Sequence, residues 1–239
     1  MELDELRSIS AKEELSLNFI AKDEMLSKAL FSLQNNDDII LKGGTAINRI
    51  FLKNKRFSED IDFDLISNKS TKDAIPRTKQ IVAKLNGFNI AKPRIMKKTI
   101  RYDLYYINPL NHKDKIRLEF NTIKKAQSFE KKIVNFGFVP SETALLNVYN
   151  IEIIIFQKIT CLLNRLEGKD FFDTYYLLEL EHKKLTELKE NKEKIIKRIA
   201  LEEKQVKSIA NATNHYLPRN QRPNWQNFLQ ELKEKIKKY

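Results

Sequence analysis

The chain has 239 residues, with 44 Lys and Arg against 32 Asp and Glu, a formal net charge of +12 and an isoelectric point near 9.5. Its one cysteine, Cys161, excludes an internal disulfide. Three scattered histidines (His112, His182, His215) exclude a zinc site by spacing, and the longest apolar run, 153–156, is far too short to span a bilayer. The length suffices for one large core or two smaller domains, and the basic balance favours anionic partners, nucleic acid first.

Helical spacing over 3–33 has Leu15, Phe19, Leu26, Leu30 and Leu33 as apolar anchors. The polar opening MELDELRSIS is not a signal peptide, and with the cysteine usage it predicts a cytoplasmic setting. A turn at 35–38 leads into a strand over 39–42. Gly43 and Gly44 then stand between the apolar run Ile39, Ile40, Leu41 and the helical pattern Ala46, Ile47, Ile50, Phe51. That order reads as strand, tight turn and helix start, a place where backbone approaches a phosphate closely. Next, Asp60, Asp62 and Asp64 alternate with Ile61, Phe63 and Leu65, so the acids share one strand face and the apolar residues the other. A solvated acidic face is the plain reading of that strand. Carboxylates this close repel, however, and a divalent cation removes the repulsion. Beside a phosphate-approaching turn, paired carboxylates make a Mg²⁺ phosphoryl-transfer layout.

A polar loop at 67–71 precedes a helix over 73–85, ended by Asn86 and Gly87. Three β-rich runs follow, at 88–95 (broken by Pro93), 100–107 and 116–123, and a last strand is expected over 133–139. Pro140 and Ser141, a good N-cap, open a helical half with helices over 142–166, 170–190, 190–213 and 224–238. Residues 183–239 hold 15 Lys and Arg against 7 acids, much of the basic excess. The fold class is α+β: a small twisted mixed sheet flanked by helices over 1–140, then a helical bundle over 141–239.

Two further groups carry chemistry. Glu119 shares a strand face with Arg117 and Asn121, either as a surface partner for a lysine or as a third acid beside Asp60 and Asp62. Lys158 and Arg165 are expected on one face of a packed helix, from which both reach nucleotide phosphates, Lys158 as a point charge and Arg165 as a fork. Gly168 breaks that helix. Local sequence reads Asp170 as the next helix's N-cap and Asp173 as a first-turn acid.

The block Gly43, Gly44, Thr45, then Arg56, Ser58, Asp60 and Asp62 resembles the AbiEii-type nucleotidyltransferase toxins of the DNA polymerase β-like superfamily. Lys158, Arg165, Lys169 with Asp170, and Asp173 follow that family's later pattern in order. The resemblance implies a polymerase β-like nucleotidyltransferase domain and an NTP substrate. It implies Mg²⁺ held by Asp60 and Asp62, with Glu119 as the third ligand, and a triphosphate held by the Gly43 and Gly44 turn, Thr45, Arg56, Ser58 and Arg165. Lys158 and one of Asp170 and Asp173 would serve the reaction. It further implies an RNA acceptor, tRNA among them, an antitoxin partner and no membrane. Two alternatives stay open: a protein hydroxyl as acceptor, or a non-catalytic basic nucleic-acid-binding protein. A kinase is disfavoured, since no Gly-x4-Gly-Lys-Ser/Thr loop occurs.

Overall fold

The structure is a computed structural model and describes residues 1–67, 70–165, 167–180 and 185–239. Parts of the loop expected at 67–71 and of the helix expected over 170–190, with His182, lie outside the described residues. The chain divides into two compact units, Met1–Tyr149 and Asn150–Tyr239.

In the first unit, α1 (Leu3–Glu13) ends where Glu14 turns left-handed, and α2 (Leu17–Ser32) starts at Ser16, whose hydroxyl accepts from the Phe19 N–H. Leu15, Leu26, Leu30 and Leu33 are buried, and Phe19 stacks on Phe57 with ring centroids 4.5 Å apart. After β1 (Ile39–Lys42) comes α3 (Gly43–Ala46), which widens into a π-turn over Ile47–Phe51. Then follow β2 (Asp60–Ile66), α4 (Ile75–Val82), the short β3 (Asn89–Ile90) and β4 (Arg94–Ile95), β5 (Thr99–Ile107), β6 (Lys113–Ile123), β7 (Phe129–Val134) and β8 (Ala144–Tyr149). Among the described residues these strands form one mixed sheet in the order β3-β5-β6-β2-β1-β8-β7, with β4 on β5.

β1 runs antiparallel to β2 and parallel to β8, and β2 runs parallel to β6. Strand alternation puts Leu41, Phe63, Phe120 and Ile100 in line across one face, with Ile61, Leu118 and Tyr102 beside them, all buried. Phe63 stacks on Phe120 at 5.8 Å. Fully burying side chains of this size contributes about 1.5–3 kcal/mol each, so this face anchors the sheet. The opposite face carries the acids.

The sequence places a helix over 142–166 with Ser141 as its cap, but residues Ala144–Tyr149 are strand β8, and α5 (Ile151–Asn164) begins only after Asn150. Leu146 and Val148 alternate inward, and the open edge of β1 supplies the ladder that overrides the helical reading. The units therefore divide later than the boundary expected near 140. The strand expected over 133–139 is β7, shifted to Phe129–Val134, where it pairs with β8.

The second unit is helical: α5, α6 (Gly168–Leu180), α7 (Thr186–Glu202), α8 (Val206–Thr213) and α9 (Trp225–Lys237). A 3₁₀ turn at Glu203–Gln205 splits the single helix expected over 190–213. Phe172 stacks on Phe228 at 6.1 Å, and Trp225 meets Phe228 edge-on at 5.4 Å. Among the described residues no helix is long and apolar enough to cross a membrane.

Candidate active site

Asp60, Asp62 and Asp64 project from one face of β2, as the alternation predicts. On β6 their register partners are Arg117, Glu119 and Asn121, and on β5 beyond these lie Asp103, Arg101 and Thr99. On this face Arg117 stands between Asp60 and Asp103, whereas Asp62 and Glu119 stand side by side with Arg101 beyond them. Arg117 Nη1 donates to Asp60 Oδ2 at 3.2 Å, and Arg101 Nε donates to Glu119 Oε1 at 2.7 Å. Asp60 and Asp62 are half-buried, whereas Asp64 is buried.

The glycine turn packs directly on this strand. Gly43 has φ +70°, a backbone that L side chains rarely adopt, and a Cβ there would stand 2.4 Å from Asp62 Oδ2. A Cβ on Gly44 would stand 2.7 Å from both the Arg56 guanidinium and Ser58 Oγ. Missing side chains at 43 and 44 thus let the backbone approach the Asp62 carboxylate on one side and Arg56 with Ser58 on the other. Thr45 is fully buried and its hydroxyl donates to the Asp60 carbonyl, so it braces the turn on β2. Arg56 is also buried, donating to the Phe57 carbonyl at 2.8 Å.

Sequence reasoning missed five residues that hold this region. Asn48 donates to the Gly44 carbonyl and accepts from the Arg56 N–H, tying the turn to the segment that carries Arg56. Only its position one helical turn after Gly44 hinted at this. Lys42 Nζ approaches Asp64 Oδ1 at 2.5 Å, and the Tyr149 hydroxyl donates to Asp64 Oδ2 at 2.6 Å. Burial and the adjoining Asp64 carboxylate push the Tyr149 phenol well above its usual value, so it stays a donor. Asp64 is accordingly engaged by Lys42 and Tyr149. Below the turn, Arg49 Nη2 meets Asp23 Oδ1 at 2.8 Å, and Asp23 Oδ2 accepts from the Val139 N–H at 2.9 Å.

In the second unit the structure brings together all four residues expected there. Lys158 Nζ lies 2.7 Å from Asp170 Oδ1 and 2.9 Å from Asp173 Oδ2, and both carboxylates are 0 % exposed. Arg165 adds a two-pronged contact to Asp170, at 2.9 Å and 3.3 Å. Burial raises the Asp170 pKa, but Lys158 and Arg165 outweigh it and hold the carboxyl below its ordinary value. Three local expectations change, and the first is that Asp173 lies beyond the first turn of α6. Arg165 is not on the helix face: α5 ends at Asn164 and Arg165 is extended, which swings its guanidinium to Asp170. Asp170 is not a cap, because α6 starts earlier, at Gly168, and places it in the first turn.

The donor set on β2 fits Mg²⁺, which takes one or two carboxylates and fills its remaining positions with water and phosphate oxygens. Asp60 and Asp62 could supply those carboxylates, and the Cβ-less Gly43 leaves space at Asp62. Glu119 neighbours Asp62 in register, with Oε1 held by Arg101. Among the described residues no group of three or more His, Cys, Asp or Glu gathers as a ready cation cage.

Known structures share this architecture. A nucleotidyltransferase described from H. pylori matches with a TM-score of 0.69 at 19% identity, covering 93% of this chain and 95% of its own. JHP933 from Helicobacter pylori matches with 0.58 at 19% identity, covering 93% and 92%. MenT4, a nucleotidyltransferase toxin from Mycobacterium tuberculosis H37Rv, matches with 0.61 at 11% identity, covering 100% and 90%. No curated protein matches the sequence. These likenesses show a nucleotidyltransferase fold, here with a glycine turn packed on an acidic strand. Residues 26–238 match the family described as nucleotidyl transferase AbiEii toxin, type IV toxin–antitoxin system, and the chain belongs to that family: it is a nucleotidyltransferase, with a nucleoside triphosphate as substrate. Membership places the enzyme in the context of a cognate antitoxin.

Proposed function

We propose that the chain transfers a nucleoside monophosphate from an NTP to a hydroxyl of an RNA, with tRNA as the acceptor, in the cytoplasm. The observation that carries this reading is the apposition of the Gly43 backbone and the Asp62 carboxylate, with Asp60 on the same strand face. Asp60 and Asp62 would hold Mg²⁺, and Glu119 is the neighbouring carboxylate that completes the set. Bound there, Mg²⁺ neutralises charge on the triphosphate and on the departing pyrophosphate.

The chain's own residues position the rest. The turn at Gly43 and Gly44, braced by Thr45 and Arg56, receives the triphosphate together with Ser58. An acceptor oxygen then bonds to the α-phosphorus, the bond from that phosphorus to the bridging oxygen breaks, and pyrophosphate leaves with the electron pair. The acceptor proton passes to a carboxylate. In the second unit Lys158 and Arg165 hold Asp170 and Asp173 in one charge-paired cluster. The basic excess, 15 Lys and Arg against 7 acids over 183–239, supports an RNA backbone as the partner.

The test is transfer from each α-³²P-labelled NTP in turn to total cellular RNA or to total protein, with Mg²⁺. Label in RNA from one NTP supports the reading. Label confined to protein moves the acceptor to a protein hydroxyl, and nucleotide binding without transfer to either favours a binding module.

A further inference from the structure

Strand β7 (Phe129–Val134) forms one edge of the sheet. It pairs with β8 on one side, and among the described residues no strand or backbone group bonds to its other side. Its six residues, on the order of 20 Å of extended chain, therefore present an open row of N–H and C=O groups.

Such an edge is normally guarded by charge. Here the guard is cancelled: Lys131 Nζ pairs with Asp37 Oδ1 at 3.0 Å, and Lys132 Nζ pairs with Glu130 Oε1 at 2.8 Å. Apolar side chains stand in the open beside these pairs. Ile133 is 61 % exposed. Its register partner on β8, Leu145, is 38 % exposed, and Phe129, on the same face of β7, is 39 % exposed.

The strand is also complementary to itself. A twofold axis that joins two such edges into one sheet stands perpendicular to the sheet, so opposed residues must lie on the same face and each copy contributes the same strand. An axis at Glu130 or at Lys132 sets that residue against its own like charge. An axis at Phe129 or at Ile133 leaves half of the strand or more without a partner. An axis at Lys131 sets Phe129 opposite Ile133 of the second copy, twice, and Glu130 opposite Lys132 of the second copy, twice. The four charges then alternate around the axis. The two Lys131 side chains meet at its centre, each with its own Asp37.

We propose that β7 docks on β7 of a second copy of this chain, antiparallel about an axis through Lys131. Main-chain hydrogen bonds across the two edges supply the contact, and the Phe129–Ile133 and Glu130–Lys132 pairs fix the register. None of these residues belongs to the reaction centre on β2, so the dimer stands or falls independently of nucleotide transfer.

Sedimentation equilibrium of the full-length chain over a range of concentrations tests this. The parent should run as a dimer that dissociates on dilution. Ile133→Lys sets a charge against Phe129 at two places and should weaken association at least about tenfold. Glu130→Lys and Lys132→Glu should each weaken self-association as well, because like charges then oppose at both 130–132 contacts. Mixed in equal amounts, these two variants should associate with each other, since every 130–132 contact across the interface is again between opposite charges. That rescue depends on the register and does not follow from a general change in stability. Circular dichroism of each variant checks that the fold is retained, and the exposure of Ile133 makes its variant the safest in that respect. A parent that is monomeric at every concentration overturns the proposal. So does a dimer of unchanged affinity in all three variants, or a failure of the two charge variants to recover each other.

Discussion

Gly43 and Asp62 are in direct apposition: a methyl group on the glycine Cα would stand 2.4 Å from the aspartate Oδ2. Gly43 also has φ +70°. Gly43→Ala therefore meets both strain and a clash. The left-handed backbone alone costs about 1–2 kcal/mol for a residue with a Cβ. We expect a measurable fall in urea midpoint together with loss of transfer, because relief of the clash displaces the carboxylate. Thermal and urea unfolding beside the transfer assay check this.

Glu119 and Asp62 neighbour each other in register, yet Glu119 is bridged to Arg101 at 2.6 Å. An amide at 119 still accepts from that arginine. Glu119→Gln should accordingly reduce kcat less than Asp62→Asn does, by about tenfold against a thousandfold or more, if each loss scales with the phosphate charge left unbalanced. Steady-state kinetics of the two variants, at equal Mg²⁺, decide the order.

Lys158 neutralises two carboxylates that are both 0 % exposed. Lys158→Met removes the cation the two share, leaving Arg165 on Asp170, and should destabilise the chain by about 3–5 kcal/mol. The Asp170 carboxyl is held below its unfolded value of 3.8, so its contribution is complete above that pH and is lost as pH falls below it toward the lower folded value. Asp170→Asn should remove that part of the acid dependence. Chemical denaturation of parent and variant from pH 7 down to pH 3 reads the difference.

Asp23 joins α2 to the π-turn through Arg49 and to the segment after β7 through the Val139 N–H. Asp23→Ala strands a buried guanidinium and should cost about 3–5 kcal/mol. The double variant with Arg49→Met should recover part of it, which a double-mutant cycle in urea would measure.

The β1, glycine turn and β2 segment was legible because its signals are local: an apolar run, paired glycines and strict alternation over six residues. The second-unit cluster was legible as a set of residues but not as a geometry. Arg165 looked helical from its spacing to Lys158, and only the end of α5 at Asn164 turns it toward Asp170. Strand β8 reads as helix in the sequence because Ala144–Tyr149 runs into the apolar stretch of α5, and what makes it a strand is the distant edge of β1. The same long-range pairing brings Tyr149 to Asp64, a contact separated by 85 positions that no window of sequence contains.

The most direct test of the central claim, that Asp60 and Asp62 on β2 form the reaction centre, is label transfer from α-³²P NTP by Asp60→Ala and Asp62→Asn, each with its unfolding curve and circular dichroism recorded. The account predicts transfer reduced by a thousandfold or more in each variant, by analogy with about 10²–10³ for a single lost transition-state contact, with the parent fold retained and parental transfer abolished by EDTA. A folded Asp60→Ala or Asp62→Asn protein that transfers at the parental rate would contradict it.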